Sequence, residues 1–413
     1  MTVDSVTCHK LQSQFATVEN FVAVDGLKSM VWVLSQENVG AYLRKQALIS
    51  PTNQSLPQIT CCSSKNFNLV VAYPDGPSFL VKQKRLDAAG NFRRDFYDEW
   101  RVCSLMQSFE ALNPLLDMTS EVLVYDSGNA IIVLEFFPEY IDLSDYYSET
   151  HQYPATIGAE LGQSLARIHA LTYQTIEYCD YLIEDSNRVL TRVPSFLNRF
   201  TCLRPGIFGE YCLDGVKFFK TLQSCPELLE AIADLHEKWQ PSCLIHRDLK
   251  LDNVLVHQNL QTDAQASVLK IIDWELFTWG DPLYDLATVL GSYLIRWLNS
   301  VGENRYVPIQ QALSLAKTPL ELIQPSLRTL MTSYCQNFPA LLQERDEFWA
   351  ELMQFTGFYL LQRLLHQMRR HYPFDNAARC SLQVVKRLIC DPDLAAKSIL
   401  GLSPSDLNVP LAA

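Results

Sequence analysis

A histidine, an aspartate and an asparagine stand at the spacing H-x-D-x-x-x-x-N within Leu244 to Asn253, LIHRDLKLDN, and a second acidic station, IIDWE, follows at Ile271 to Glu275. At that spacing Asp248 can act as a base toward a hydroxyl, while Asn253 can share a metal ion with Asp273. Phosphoryl transfer needs this equipment, because positioning and charge neutralisation supply most of its catalysis. Two short apolar runs, Val254 to His257 and Val268 to Ile272, join the stations, and the polar stretch Gln258 to Ser267 between them reads as a hairpin loop. Folding that hairpin brings Asn253 and Asp273 together at its open end.

HRDLKLDN resembles the catalytic loop of protein kinases, and IIDWE followed by GDPLYDLATVL (Gly280 to Leu290) resembles the aminoglycoside phosphotransferase and choline kinase family, whose folds share the protein-kinase core. The resemblance implies an α+β, two-lobed, protein kinase-like fold. Residues 1–137 would form the nucleotide-binding lobe, a small antiparallel β-sheet with one helix, and residues 138–413 a larger, mainly helical catalytic lobe. It implies ATP and Mg2+ as cofactors, with Asp248 deprotonating the acceptor and Asn253 and Asp273 holding the metal. Lys250 would neutralise charge on the transferred group, and His246 would brace the loop.

The elements that must position these groups are legible upstream. Ile59 to Cys62, Phe67 to Tyr73 and Ser78 to Gln83 are short β-prone runs separated by polar or Pro-Asp-Gly punctuation. The turn between the first two, Ser63 to Asn66, sits where kinases place a phosphate-covering loop; it has no glycine, and Ser63 and Ser64 offer hydroxyls there. Lys82, in the third run, matches the lysine that holds the α- and β-phosphates. A helix is expected next, because Phe92, Phe96, Trp100 and Cys103 form an apolar stripe, and Glu99 beside it matches the glutamate that orients the lysine. Asp95 is a shorter rival. A hairpin follows, Val122 to Tyr125 and Ala130 to Phe137, whose end LEFFPE resembles the kinase hinge; the carry-over assigns adenine contacts to the carbonyl of Glu135 and the N–H of Phe137.

Beyond the hinge the period becomes helical. Ile157, Leu161, Leu165 and Ile168 make one stripe, with His169 read as a packed helix-end residue, and Glu227 to Trp239 is expected to run as a helix into the catalytic loop. The insertion Thr172 to Pro226 is far longer than an ordinary connection and is expected to form an acceptor-binding cap. Gly280 to Leu298 offers a buried helix face, with Asp285 in its first turn matching the acid that braces the catalytic loop in kinases. Leu313 to Leu400 is helical by period, with Arg363, Arg369 and Arg370 read as a solvated face.

Few residues separate Asp273 from Asp281, too few for a long switch loop, so a constitutive enzyme is expected. Arg188, Arg192, Arg199, Arg204, Lys217 and Lys220 make the insertion locally basic, which disfavours a polycationic acceptor. Three functions therefore stand: phosphorylation of a small-molecule hydroxyl, phosphorylation of Ser/Thr in a peptide, or a non-catalytic nucleotide-binding scaffold.

The net charge of −12 argues against nucleic acid, whose phosphates demand a basic face. No apolar run approaches a membrane span, and the N-terminus lacks the apolar core of a signal peptide. The twelve cysteines show no C-x-x-C pair and no zinc-ligand spacing, which reads as buried thiols in a reducing cytoplasm. A hydrophobic content of 48% over 413 residues is enough for two lobes, each with its own core.

Overall fold

A computed structural model of the chain describes residues 21–22, 31–50, 55–63, 66–87, 92, 95–183, 210–259, 269–302 and 307–401. The chain divides into two compact units, one of Met1–Trp100 with Glu121–Pro138 and the other of Arg101–Ser120 with Glu139–Ala413. The segment 101–120 falls in the second unit.

The first unit begins with a two-stranded ribbon, β1 (Phe21–Val22) and β2 (Val31–Trp32), and a short helix, α1 (Val39–Lys45). Its main body is a five-stranded antiparallel sheet in the order β3 (Gln58–Ser63), β4 (Phe67–Ala72), β5 (Ser78–Gln83), β7 (Ile131–Glu135) and β6 (Val122–Asp126). Strand β7 reads IIVLE because both of its faces are covered. Successive side chains point to opposite faces, so Ile131 and Val133 pack with Leu69, Val71, Val81 and the α1 residues Tyr42 and Leu43, while Ile132 and Leu134 meet Phe96 on the other face. The helix expected from Phe92 starts later, as α2 (Tyr97–Ser108), because Phe92 pairs with Leu86 in an isolated bridge.

The second unit is mainly helical. Strand β8 (Tyr140–Asp142) leads into α3 (Leu143–Thr150) and α4 (Ala155–Thr172); α5 (Ile176–Ile183), α6 (Leu213–Gln223) and α7 (Pro226–Asp234) follow. Helix α7 stops short of the expected Trp239, and turns carry the chain on to β9 (Cys243–Ile245). Strands β10 (Val254–His257) and β11 (Lys270–Ile271) form the expected hairpin, whose loop lies largely outside the described residues, and β8 adds to the free edge of β10 as a third strand. Strand β12 (Thr278–Gly280) pairs with β9.

Helix α8 (Pro282–Asn299) is buried on nearly every face, as expected of a helix at the centre of a core. Helices α9 (Ile309–Ser314), α10 (Leu320–Asn337), α11 (Pro339–Glu344), α12 (Phe348–Arg369), α13 (Asn376–Cys390) and α14 (Pro392–Leu400) complete the unit. Helices α4 and α10 touch backbone to backbone: a Cβ on Gly162 would lie 2.1 Å from the carbonyl oxygen of Leu330, and one on Gly158 would lie 2.1 Å from that of Ser326. No helix among the described residues is long and apolar enough to cross a membrane. The cysteines depart from the expectation. Cys103, Cys243, Cys335 and Cys380 are buried, but Cys61 is exposed and the other described ones lie between, all as free thiols, since strand and helix ends rather than core positions carry several of them.

Candidate active site

The loop after β9 closes on itself through the three residues of its own motif. His246 accepts the N–H of Asp248 at Nδ1 (3.3 Å) and, through Nε2, donates to the carbonyl of Ile272 (2.9 Å). Asn253 donates its Nδ2 to the carbonyl of Asp248 at 2.8 Å. Both peptide groups of Asp248 are thus held, while its side chain stays 30% exposed and open to a reactant. The indole of Trp274 packs against the His246 ring, with centroids 4.7 Å apart. The N–H of Ile272 bonds the carbonyl of Asn253 at 3.0 Å, so the two stations of the motif are backbone neighbours.

Arg247 and Asp273 both adopt left-handed backbone angles, with φ of 70° and 69°. Such a conformation costs a side-chain-bearing residue about 1–3 kcal/mol and persists only where its surroundings hold it. At Arg247 the holding group is Asp285, in the first turn of α8: its carboxylate accepts the N–H of His246 at 2.6 Å and that of Arg247 at 2.7 Å while only 1% exposed. His169, the packed residue at the end of α4, bears on the same carboxylate. Its Nε2 lies 3.5 Å from Asp285 Oδ2, a close approach rather than an aligned hydrogen bond, and its Nδ1 meets the Tyr334 hydroxyl at 2.9 Å. Thr172 accepts the N–H of Leu244 at 3.1 Å. The α4 end is therefore tied to the strand that delivers the loop.

Asp281 caps α8 by accepting from the Leu283 N–H and also accepts from both terminal guanidinium nitrogens of Arg345, at 2.6 and 2.9 Å. Arg345 Nε approaches Glu351 at 3.0 Å without hydrogen-bond alignment. Burial holds the Glu351 carboxyl above its ordinary range, with Arg345 opposing and Asp281 adding to the rise. This buried triad anchors the start of α8, and sequence reasoning did not find it: the arginine stands far along the chain in a run with no motif of its own.

Lys250 donates to Asp248 Oδ2 at 3.0 Å. Burial works against its ammonium, but the negative charges of Asp248, Asp252 and Asp273 outweigh that and hold its pKa above the ordinary lysine value. The same field reaches Tyr284 and Tyr359, whose phenols are raised chiefly by burial, with the Asp248 charge adding to it. Tyr284 donates to Gln362 at 3.2 Å. These neighbours of the loop were also not legible in advance.

In the first unit Lys82 and Glu99 form an ion pair, with Nζ–O distances of 2.9 and 3.2 Å and side chains 8% and 5% exposed. The rival acid Asp95 turns elsewhere, accepting the N–H of Tyr97 at 3.1 Å and the hydroxyl of Tyr125. Glu135 ends β7, its N–H bonded to the carbonyl of Glu121 at 2.9 Å, and Phe137 follows just beyond the strand. Ser63 is the last residue of β3, paired with Phe67; Ser64 lies outside the described residues. So do Arg188, Arg192, Arg199 and Arg204 of the basic insertion, while Lys217 and Lys220 lie on α6. Arg363, Arg369 and Arg370 are exposed, as expected of a solvated face, and Arg369 Nε in addition donates to the Tyr211 hydroxyl at 2.9 Å, tying α12 to the insertion.

The donor set at the hairpin's open end suits magnesium. Asn253 spends its Nδ2 on the loop, so Oδ1 is the atom it could offer a metal, and Asp273 could add a carboxylate. Magnesium usually takes one or two protein oxygens and completes its shell with water and substrate phosphates. Among the described residues there is no group of three or more His, Cys, Asp or Glu side chains that could hold a metal.

A model of the "Phosphotransferase enzyme family" matches residues 75–316. The mouse (Mus musculus) protein "Acyl-CoA dehydrogenase family member 11" is 32% identical over 94 residues, which is 22% of this chain and 10% of that one. The chain thus matches about a tenth of the length of this curated relative. Among solved structures, choline kinase LicA from Streptococcus pneumoniae superposes with a TM-score of 0.47 at 14% identity, over 86% of this chain and 99% of that one. A glucosamine kinase does so with a TM-score of 0.48 at 14% identity, over 88% and 84%.

Proposed function

The chain belongs to the phosphotransferase enzyme family, and from that premise we propose that it transfers the γ-phosphoryl group of ATP to an alcohol hydroxyl of a small-molecule acceptor. The observation that carries this reading is the clamp on Asp248: His246 takes its N–H and Asn253 its carbonyl, which fixes the backbone that carries the carboxylate, and Lys250 donates to its Oδ2. A base held in this way loses little freedom when it meets its reactant, which is how positioning lowers a barrier.

In the proposed step Asp248 accepts the hydroxyl proton as the acceptor oxygen bonds to the γ-phosphorus. The bond from that phosphorus to the β,γ-bridging oxygen breaks, and ADP leaves with its electron pair. Lys250, beside Asp248, lends positive charge to the phosphoryl oxygens. Lys82, aligned by Glu99, holds the α- and β-phosphates, and the backbone at Glu135 and Phe137 together with Ser63 and Ser64 completes the nucleotide contacts. Asn253 and Asp273 would hold Mg2+, which when bound neutralises phosphate charge. Residues 172–226 are proposed as the acceptor cap, within a chain organised as a nucleotide-binding and a catalytic lobe.

The test is direct: incubate the full chain with γ-labelled ATP, Mg2+ and pooled hydroxyl-bearing metabolites and peptides, and follow label into new phosphate monoesters. Label in a small-molecule ester supports the reading. Label only in peptide Ser or Thr, or no transfer to any acceptor despite nucleotide binding, overturns it in favour of a peptide kinase or a scaffold.

A further inference from the structure

Away from the catalytic loop, the second unit contains a cavity of about 440 Å³ between α6, α7, α9 and α13 that shares no residue with the catalytic loop, the metal station or the nucleotide contacts, although its α6 side, Lys217 to Leu222, belongs to the segment proposed as the acceptor cap. Its floor is made of core side chains, among them Leu222, Leu228, Phe374 and Leu382. Its rim carries four cations, Lys217, Lys220, Arg379 and Lys386, and among the described residues no acid lines it. On a chain of net charge −12 such a rim is a local reversal of sign.

The four cations are not equivalent. Lys217 is matched by Asp214 at 2.7 Å and Lys386 by Glu227 at 2.5 Å, both acids standing outside the lining. Lys220 and Arg379 form no ion pair among the described residues, and Arg379 instead lies over the Phe374 ring, 5.8 Å from its centroid. The arrangement therefore offers two charges outside any ion pair above an apolar floor, Arg379 lying also within the field of Asp214. A small polar anion would satisfy the charges and leave the floor wet, and a neutral hydrocarbon would do the reverse. The volume is that of an ordinary small-ligand site.

We propose that this cavity binds a soluble single-chain anionic amphiphile, an alkyl chain seated on Leu228 and Leu382 with its carboxylate or phosphate headgroup between Lys220 and Arg379. The inference stands on the cavity alone and does not depend on the phosphotransferase reading.

The probes are decanoate, decyl phosphate and hexanoate, each below its critical micelle concentration and titrated calorimetrically into the full chain without nucleotide. Decanoate and decyl phosphate should bind saturably at one site, whichever headgroup is carried, the tighter of the two identifying the natural headgroup class. Hexanoate should bind at least about tenfold more weakly, because each methylene seated on an apolar floor adds affinity. Lys220→Glu with Arg379→Glu should weaken decanoate by at least about tenfold, while the thermal midpoint stays unchanged and the distant Lys397→Glu leaves binding intact. The proposal is overturned by any of three results: no saturable binding, equal affinity for decanoate and hexanoate, or charge reversal without effect. Binding of the chain to anionic phosphatidylglycerol vesicles but not to free decanoate also overturns it, since that is a membrane-surface patch and no pocket.

Discussion

Lys250 holds its ammonium 3.0 Å from Oδ2 of Asp248, two residues earlier on the same loop, so the proposed base carries its own counter-charge. In the proposed reaction that charge would face the phosphoryl oxygens, and both side chains remain near 30% exposed, within reach of a reactant.

Lys250→Met should therefore lower kcat by about a hundredfold, the usual scale for losing one preorganised charge at a transition state. Nucleotide affinity should stay within about twofold, because Lys82 is assigned the grip on the phosphates. Steady-state kinetics against the identified acceptor check this, and an unchanged kcat would remove Lys250 from the mechanism.

Arg345→Met leaves Asp281 and Glu351 facing each other in a buried site. Removing one partner of a buried charge network costs about 3–5 kcal/mol, and urea unfolding should register a loss of that order. Asp281→Asn added to Arg345→Met should recover part of it, since no carboxylate is then stranded at the start of α8. A loss below about 1 kcal/mol for the single variant would show the triad to be dispensable.

Asp142 caps α3 by accepting from the Asp145 N–H at 2.9 Å. Burial foremost, with repulsion from Asp145 and Asp252, pushes its pKa up to about 6 against the opposing backbone hydrogen bond. The folded chain then keeps a proton that the unfolded chain has released, so this group's contribution to stability is present at low pH and is lost as pH rises through about 6. Asn caps a helix as well as Asp does. Asp142→Asn should accordingly gain on the wild type as pH goes from 4.5 to 7, read from urea midpoints; a pH-independent difference contradicts this.

Gly162→Ala should destabilise by about 1–3 kcal/mol, the range for forcing extra volume into a packed core. The added methyl meets the Leu330 carbonyl, a backbone atom that cannot rotate aside. Thermal unfolding with no loss would mean that α4 and α10 can separate without cost.

Local pattern carried much of this architecture. The run HRDLKLDN and the two apolar runs after it are enough to foresee a loop, a hairpin and an Asn253–Asp273 neighbourhood, because each depends on residues close in sequence. Helix α4 follows its apolar stripe for the same reason. What escaped depends on pairing across the chain. Asp281 finds Arg345 from 64 residues away, and β8 becomes a strand only because β10 offers it an edge. Gly158 and Gly162 look like weak helix formers until α10 is laid against them. Phe92 fits a helical stripe, yet its backbone is taken by Leu86. A periodicity argument has no access to such partners.

In the proposed step Asp248 is the base. Asp248→Asn keeps the shape of the side chain and the backbone bonds to His246 and Asn253, and it removes the proton acceptor. With the acceptor identified, turnover should fall by several hundredfold or more, on the scale of about 10²–10⁴ for losing general-base catalysis, while calorimetric affinity for Mg-ATP stays within about twofold. Turnover close to that of the wild type, with nucleotide affinity unchanged, would contradict the assignment and require another proton acceptor.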